Sequence, residues 1–339
     1  MEEGILHVIS HTDLDGITAA AVAWHANRRS RWPIKVTLCG YGEVDSLVAY
    51  GLSKGEDLLV LDLFCQRQET VDMLDRAFDG VELRRPLFFD HHKSTMEKYG
   101  NRSWLKVDTS MCAAKVYYSW LLSSGHGEEA DVEALAEMRE LVETANDRDL
   151  WLGERPESRL WQALVTLLGP HGALMRLSVN RSHVMDAGEE RAAREFVTSQ
   201  DERFKRAISS LDRRGDLAML DDGILEFGDV SDFCGLVLDR MDNPPEVVAV
   251  LARRQGGDWA VSMRSRSGLA GRMVALLKDG RKVRGGGHDD AAALYFPAHF
   301  SREQIFSSLA AAMNSHRESS MGVGMTIGDI LKGKLGQDG

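Results

Sequence analysis

The first 150 positions alternate between short apolar runs and longer segments with helical spacing. Residues 5–10 (ILHVIS), 33–40 (PIKVTLCG), 57–64 (DLLVLDLF) and 85–92 (RPLFFDHH) are apolar without strict alternation, as strands buried on both faces are. Between them, the alanine-rich 17–29 reads as a helix and 66–79 as a charged one. Residues 109–125 and 131–150 are further helices; in the second, apolar positions 132, 135, 138, 141, 142 and 145 share a face. Strands alternating with helices predict an α/β fold built on a parallel sheet covered on both sides.

The texture changes after residue 186. Residues 187–214 form one long polar helical segment, which places a connector at 187–215. Beyond it, 217–230, 246–266 and 291–297 read as strands and hairpins, with helices near 232–242, 268–279 and 301–316. The expected organisation is therefore an α/β domain at 1–186, the connector, and a smaller α/β domain at 216–339.

Composition narrows the function. The chain has 339 residues and a formal net charge of −11, a poor match to a protein that grips long duplex nucleic acid by its phosphates. A small anionic substrate remains compatible, because steering follows the local field. That field is uneven: from Arg253 to Arg284 there are nine basic residues against Asp258 and Asp279. No run approaches the roughly 18–20 apolar residues of a membrane span. The start, MEEGILHVIS, lacks the positive flank and cleavage site of a signal peptide. Cys39, Cys65, Cys112 and Cys234 show no CxxC spacing, as expected of buried thiols in a reducing cytoplasm.

Three of the apolar strands end in the same kind of residue. The first runs into His11-Thr12-Asp13-Leu14-Asp15, the third into Asp62, and the fourth into Asp90-His91-His92. Residues just past the carboxyl ends of neighbouring parallel strands converge on one crevice. The helix at 131–150 ends in NDRD and adds Asp147 or Asp149. This set is rich in carboxylate and imidazole and has no thiolate. It suits two divalent cations, Mn²⁺ above all, with Mg²⁺ or Co²⁺ as alternatives, rather than structural zinc. Two cations about 3.5–4 Å apart are a standard device for phosphoester hydrolysis.

A second unusual stretch is VRGGGHDDAAAL at 283–294. Gly285, Gly286 and Gly287 allow backbone N–H groups to approach a phosphate or base, and His288 follows directly. Upstream, Arg264 and Arg266 fall on one side of a strand, and guanidinium forks match phosphate oxygens. Together the positive cluster and this Gly-rich turn form an expected grip for a nucleotide, apart from the metal ligands.

With these residues in place, the chain resembles the DHH/DHHA1 phosphoesterases. SHTDLDG, LLVLD, FFDHH and TANDRD are similar to the four motifs of the DHH domain, and RSR…RGGGHDDAAA to its DHHA1 companion. The resemblance covers most of the chain in order, and points to nanoRNases (oligoribonucleases), cyclic-dinucleotide phosphodiesterases and the exonuclease RecJ. It implies a Rossmann-like sheet in the DHH domain. It implies that His11, Asp13 and Asp62 hold one Mn²⁺, and that Asp15, Asp62, His91 and Asp147 hold the other. Asp62 would bridge, His92 would contact the scissile phosphate and assist the leaving oxygen, and Asp90 would orient the imidazoles. Arg264, Arg266, Gly285, Gly286, Gly287 and His288 would hold the far end of the substrate. Many nanoRNases carry His-x-x-Pro-Asp-x-Asp in the first motif; here it is His-x-Asp-x-Asp, closer to a second nanoRNase type and to RecJ.

The expected activity is hydrolysis of short oligoribonucleotides or linear dinucleotides to nucleoside 5′-monophosphates. The alternatives are a cyclic-dinucleotide phosphodiesterase of the cyclic di-AMP type, a 3′-phosphoadenosine 5′-phosphate phosphatase and, in a different class, an inactive nucleotide-binding regulator. The expected setting is cytoplasmic and away from membranes, and a homodimer is one assembly the sequence allows.

Overall fold

The computed structural model describes residues 4–27, 32–78, 80–124, 132–278, 282–287 and 289–321. The chain divides into two compact units, Met1–Thr198 and Ser199–Gly339. Among the described residues, no helix is long and apolar enough to cross a membrane.

The first unit is built on five strands: β1 (Leu6–Ser10), β2 (Ile34–Leu38), β3 (Asp57–Leu61), β4 (Phe88–Asp90) and β5 (Leu105–Val107). They lie in the order β2-β1-β3-β4-β5, all parallel. Side chains alternate between the two faces, as the pleat requires. Val8, Leu59, Leu61 and Phe89 enter one core. Ile9, Leu58, Val60 and Phe88 enter the other. Both faces are thus apolar, which is why these strands show no alternation in the sequence.

The first core is covered by α1 (Leu14–Asn27), α5 (Ala113–Ser123), α6 (Val132–Asp149) and α7 (Glu157–Val179). The second is covered by α2 (Val44–Lys54) and α3 (Gln68–Phe78), with Phe64 stacked between Tyr99 and Trp104. The short α4 (Lys93–Tyr99) follows β4 directly. Four elements of this unit were not assigned from the sequence pattern: α2, α4, α7 and β5. The strand has three residues and α4 seven, too few to show a period. In α7 the helical spacing is broken by Gly169, at φ 69° and ψ 163°, followed by Pro170.

The second unit carries a mixed sheet of six strands in the order β10-β11-β9-β8-β7-β6. These are β6 (Asp212–Arg214), β7 (Leu217–Leu220), β8 (Val247–Arg253), β9 (Trp259–Ser265), β10 (Arg284–Gly287) and β11 (Ala291–Phe296). Only β7 and β8 pair in parallel. The helices α9 (Val230–Arg240), α10 (Leu269–Leu277) and α11 (Arg302–Met321) complete the unit. The polar helix α8 spans Ala187–Ser209 and so stops short of the expected residue 214. Asp212, Arg213 and Arg214 leave it to pair with β7, and Arg214 is held by Asp212 and Glu303.

Candidate metal centre

The sheet order decides where the chemistry gathers. From β1 the chain goes to β2 on one side, then returns to β3 on the other. The carboxyl ends of β1 and β3 therefore flank the switch point at which open α/β sheets form a crevice. Ser10 and Leu61 are register partners, so His11 and Asp62 leave the sheet side by side. Asp62 also takes an unusual backbone conformation, φ 57°, which few residues other than glycine, asparagine and aspartate tolerate.

Asp62 is the hub. Its Oδ2 lies 3.6 Å from His11 Nδ1, and its Oδ1 lies 3.3 Å from His91 Nε2. On the first side, His11 Nδ1 is 2.8 Å from Asp13 Oδ2. On the second, His91 Nε2 is 4.0 Å from Asp15 Oδ2, and His91 Nδ1 is 3.4 Å from Asp149 Oδ2. Three sets of donor atoms result, each within 4.8 Å: His11, Asp13 and Asp62; Asp62, His91 and His92; Asp15, His91 and Asp149.

The electrostatics are those of buried carboxylates crowded around histidines. Burial and the neighbouring carboxylates push the acids of Asp15 and Asp62 well above their usual range. Burial likewise raises Asp149, against the pull of His91. Burial opposes charge on His11, but Asp13 and Asp62 outweigh it and raise its pKa to about 10, while His11 brings Asp13 down to about 2. Among the described residues, the ion pairs of Asp13, Asp15 and Asp62 are all to histidines. Asp149 Oδ2 is buried and has no hydrogen-bond partner among the described residues. Carboxylates crowded in this way are costly unless something neutralises them. The donor set fits divalent cations with oxygen and nitrogen ligands, and Asp62 can serve both sides.

Each predicted ligand but one lies in this cluster. Asp147 does not: its Oδ1 accepts the backbone N–H groups of Glu154 (2.7 Å) and Arg155 (3.1 Å). Two residues apart on a helix means roughly 200° apart around its axis, so Asp147 and Asp149 cannot serve one site. The structure puts Asp149 in the place that the resemblance assigns to Asp147. Asp15 has a second task. Both its oxygens accept the first amides of α5, Ala113 N–H at 2.7 Å and Ala114 N–H at 2.8 Å. This is a favourable place for an anion.

His92 stands at the rim of the cluster. Asp90 Oδ1 accepts from His92 Nδ1 at 2.6 Å and from the His91 backbone N–H at 2.8 Å. Asp90 thus fixes one imidazole, that of His92. Burial opposes a charge on His92, but the Asp90 carboxylate outweighs it and raises the pKa. The Tyr41 hydroxyl lies 3.0 Å from His92 Nε2, and the Tyr41 ring sits 5.2 Å from that of His11. Tyr41 was missed in the sequence, although it follows β2, whose carboxyl end opens on the same crevice.

Gly16 holds the first loop tight. A Cβ there would meet the His11 carbonyl oxygen at 2.5 Å and its Cα at 2.7 Å. Gly16→Ala is expected to destabilise the protein by about 1–3 kcal/mol, as overpacking does. It should also weaken metal binding, measured by calorimetric Mn²⁺ titration, because His11 must shift.

The expected nucleotide grip lies in the second unit. Arg264 and Arg266 both turn toward α9: Arg264 donates to Ser231 Oγ at 2.9 Å, and Arg266 makes two bonds to Asp239 at 2.9 and 2.6 Å. Gly285, Gly286 and Gly287 lie in β10, at the edge of the sheet rather than in a turn. A Cβ at Gly285 would meet the Ala293 carbonyl at 2.7 Å, so that glycine is required by packing. Gly286 has nothing within 4 Å of its Cβ position among the described residues. His288 lies outside the described residues.

Comparison with protein-family models and with curated proteins finds no match. Solved structures do match. The exonuclease RecJ bound to manganese is 17% identical, with 93% of this chain and 90% of that chain covered and a TM-score of 0.56. RecJ from Thermus thermophilus in complex with Mn²⁺ is 15% identical over 93% of this chain and 52% of that one, with a TM-score of 0.55. The pGpG-specific phosphodiesterase PggH from Vibrio cholerae is 15% identical over 91% of this chain and 99% of that one, with a TM-score of 0.51. The chain thus has the α/β fold of RecJ and PggH.

Proposed function

We propose that this protein is a metal-dependent phosphodiesterase of the DHH/DHHA1 type. It would hydrolyse short oligoribonucleotides or linear dinucleotides to nucleoside 5′-monophosphates. The observation that carries the reading is Asp62, one carboxylate set between two histidine–carboxylate groups. His11 and Asp13 on one side, and Asp15, His91 and Asp149 on the other, are the residues that would hold two cations, Mn²⁺ in first place. Such cations, when bound, acidify a water and neutralise charge on the phosphate.

The chain's own residues do the rest. Asp90 holds His92 in one orientation, so that its Nε2 faces the crevice beside the Tyr41 hydroxyl. In that place His92 can meet a phosphate oxygen and supply a proton to the departing 3′-oxygen. Arg264, Gly286 and His288 are the proposed nucleotide-binding residues of the second unit. Arg266 would have to exchange Asp239 for phosphate to join them. The fold of PggH supports a linear dinucleotide, and the net charge of −11 favours short substrates over long ones. A cytoplasmic setting is part of the same proposal.

The test is turnover by chelator-stripped protein with Mn²⁺, Mg²⁺ or Co²⁺ restored. Substrates are an RNA dinucleotide, pGpG, a five-nucleotide RNA, long single-stranded DNA, cyclic di-AMP and 3′-phosphoadenosine 5′-phosphate. Loss of turnover on stripping, with recovery in Mn²⁺ on the short linear substrates, is expected. Mn²⁺ at about 100 times its Kd should also stabilise the fold by about 2.7 kcal/mol for each site filled. Turnover of the cyclic compound or the bisphosphate alone would keep the chemistry and replace the substrate. No turnover of any would leave a nucleotide-binding regulator.

A further inference from the structure

The helix that supplies Asp149 ends in an unusual way. Leu152 N–H bonds to Asp147 O, closing the six-residue loop that caps many helices, and Trp151 sits in the left-handed position at φ 55°. Glycine is the usual residue there, because a side chain in that conformation is strained. Here the position carries the bulkiest side chain, and the residue is 42% exposed. Trp151 thus keeps a large apolar surface partly in water at a position that strains its backbone. The Arg148 guanidinium lies 4.4 Å from the ring centroid. It can cover only one face of the indole.

The location narrows what the ring could meet. Trp151 is two residues beyond Asp149, so their Cα atoms are within about 8 Å. The loop is fixed, since Asp147 binds the amides of Glu154 and Arg155 on its far side. A rigid indole backed by a cation beside a phosphodiester site is the arrangement that stacks on a nucleobase. We propose that the Trp151 ring, backed by Arg148, is the platform on which one base of the substrate stacks while its phosphate lies at the Asp62 cluster. The inference rests on the phosphodiesterase reading given above and adds a subsite to it. Stacking reads the flat face of any base, so the subsite confers affinity with little base preference.

Steady-state kinetics of the Mn²⁺-loaded full chain test this with an RNA dinucleotide and its two singly abasic analogues. Trp151→Ala should raise KM for the dinucleotide about 5- to 100-fold, the range of a lost base–aromatic stack, with a smaller change in kcat. Trp151→Phe should stay within about threefold of wild type, since a ring remains. One abasic analogue should already show the raised KM with wild type and show no further rise with Trp151→Ala. An unchanged KM in Trp151→Ala would overturn the proposal. So would a penalty that persists in full with both abasic analogues, which would mean that the variant acts through the loop and not the base. Should the wild type cleave no phosphodiester, the enzyme reading fails by itself, and calorimetry with adenosine 5′-monophosphate decides the subsite. Binding lost in Trp151→Ala and kept in Trp151→Phe supports it; equal binding, or none, by all three proteins overturns it.

Discussion

Asp62→Asn is expected to lower turnover by about 10³-fold or more, and at the same time to stabilise the metal-free protein. Both effects come from one feature of the site. Removing a single group that stabilises transition-state charge costs about 10²–10³ in rate, and Asp62 is placed to serve two cations rather than one. The neutral amide keeps the size of the carboxylate and tolerates the left-handed backbone at φ 57°. Alanine would add strain there, so asparagine isolates the charge. In the absence of metal that charge is a liability: burial and Asp13 raise the pKa of Asp62 well above its usual value. A raised folded pKa means that the folded state binds more protons. Stability is therefore lost as pH rises from the unfolded value through the folded one. Asparagine removes that loss, and a gain of about 0.5–2 kcal/mol at neutral pH is expected from chelator-stripped melts. With saturating Mn²⁺ the order should reverse, because the wild type alone gains the full binding energy. If the stripped wild type melts above Asp62→Asn, the cluster is not under electrostatic load, and the case for cations loses its main support.

The fold and the site were legible to different depths. β1, β3 and β4 could be read because apolar strands buried on both faces end abruptly in acids and histidines, and parallel pairing brings those ends together. β5 and α4 could not, since three and seven residues carry no period, and α7 is divided at Gly169. Within the site, His11, Asp13, Asp15, Asp62 and His91 follow from strand-end logic alone. Tyr41 obeys the same logic, at the end of β2, but a search for charged or metal-ligating side chains passes over a phenol. Arg266 looked like a free phosphate grip because no local pattern announces Asp239, 27 positions earlier in the chain. Gly285 and Gly287 read as a turn from sequence, yet they are strand residues whose missing side chains let Ala293, Leu294 and Ala292 approach. The run NDRD left two aspartates open, although Asp149 follows Ala145 by four positions and Val142 by seven and so continues the apolar face of the helix, which Asp147 does not.

That ambiguity gives the second large effect, a contrast between neighbouring aspartates. Asp149→Asn is expected to lose about 10²–10³ in turnover, while Asp147→Asn stays within a few-fold of wild type. The reason is what each carboxylate is asked to do. Asp149 lies 3.4 Å from His91 with a buried oxygen that has no hydrogen-bond partner among the described residues, a place where charge matters. Asp147 accepts two backbone N–H bonds through one oxygen, Oδ1, and an amide oxygen can accept the same two. Asp147→Ala removes the acceptor and leaves both amides of the loop without it. It should cost about 1–3 kcal/mol of stability. It should also raise KM more than it lowers kcat, since the loop it anchors carries Trp151 rather than a ligand. Calorimetric Mn²⁺ titration separates the roles independently of turnover: Asp149→Asn should weaken binding by at least about tenfold, and Asp147→Asn should not. The opposite pattern, with Asp147→Asn unable to bind Mn²⁺ and Asp149→Asn active, would require the end of α6 to turn by half a revolution when metal binds. Cations that rearrange this helix would then build the site, whereas Asp15, His91 and Asp149 already hold donor atoms within 4.8 Å of one another.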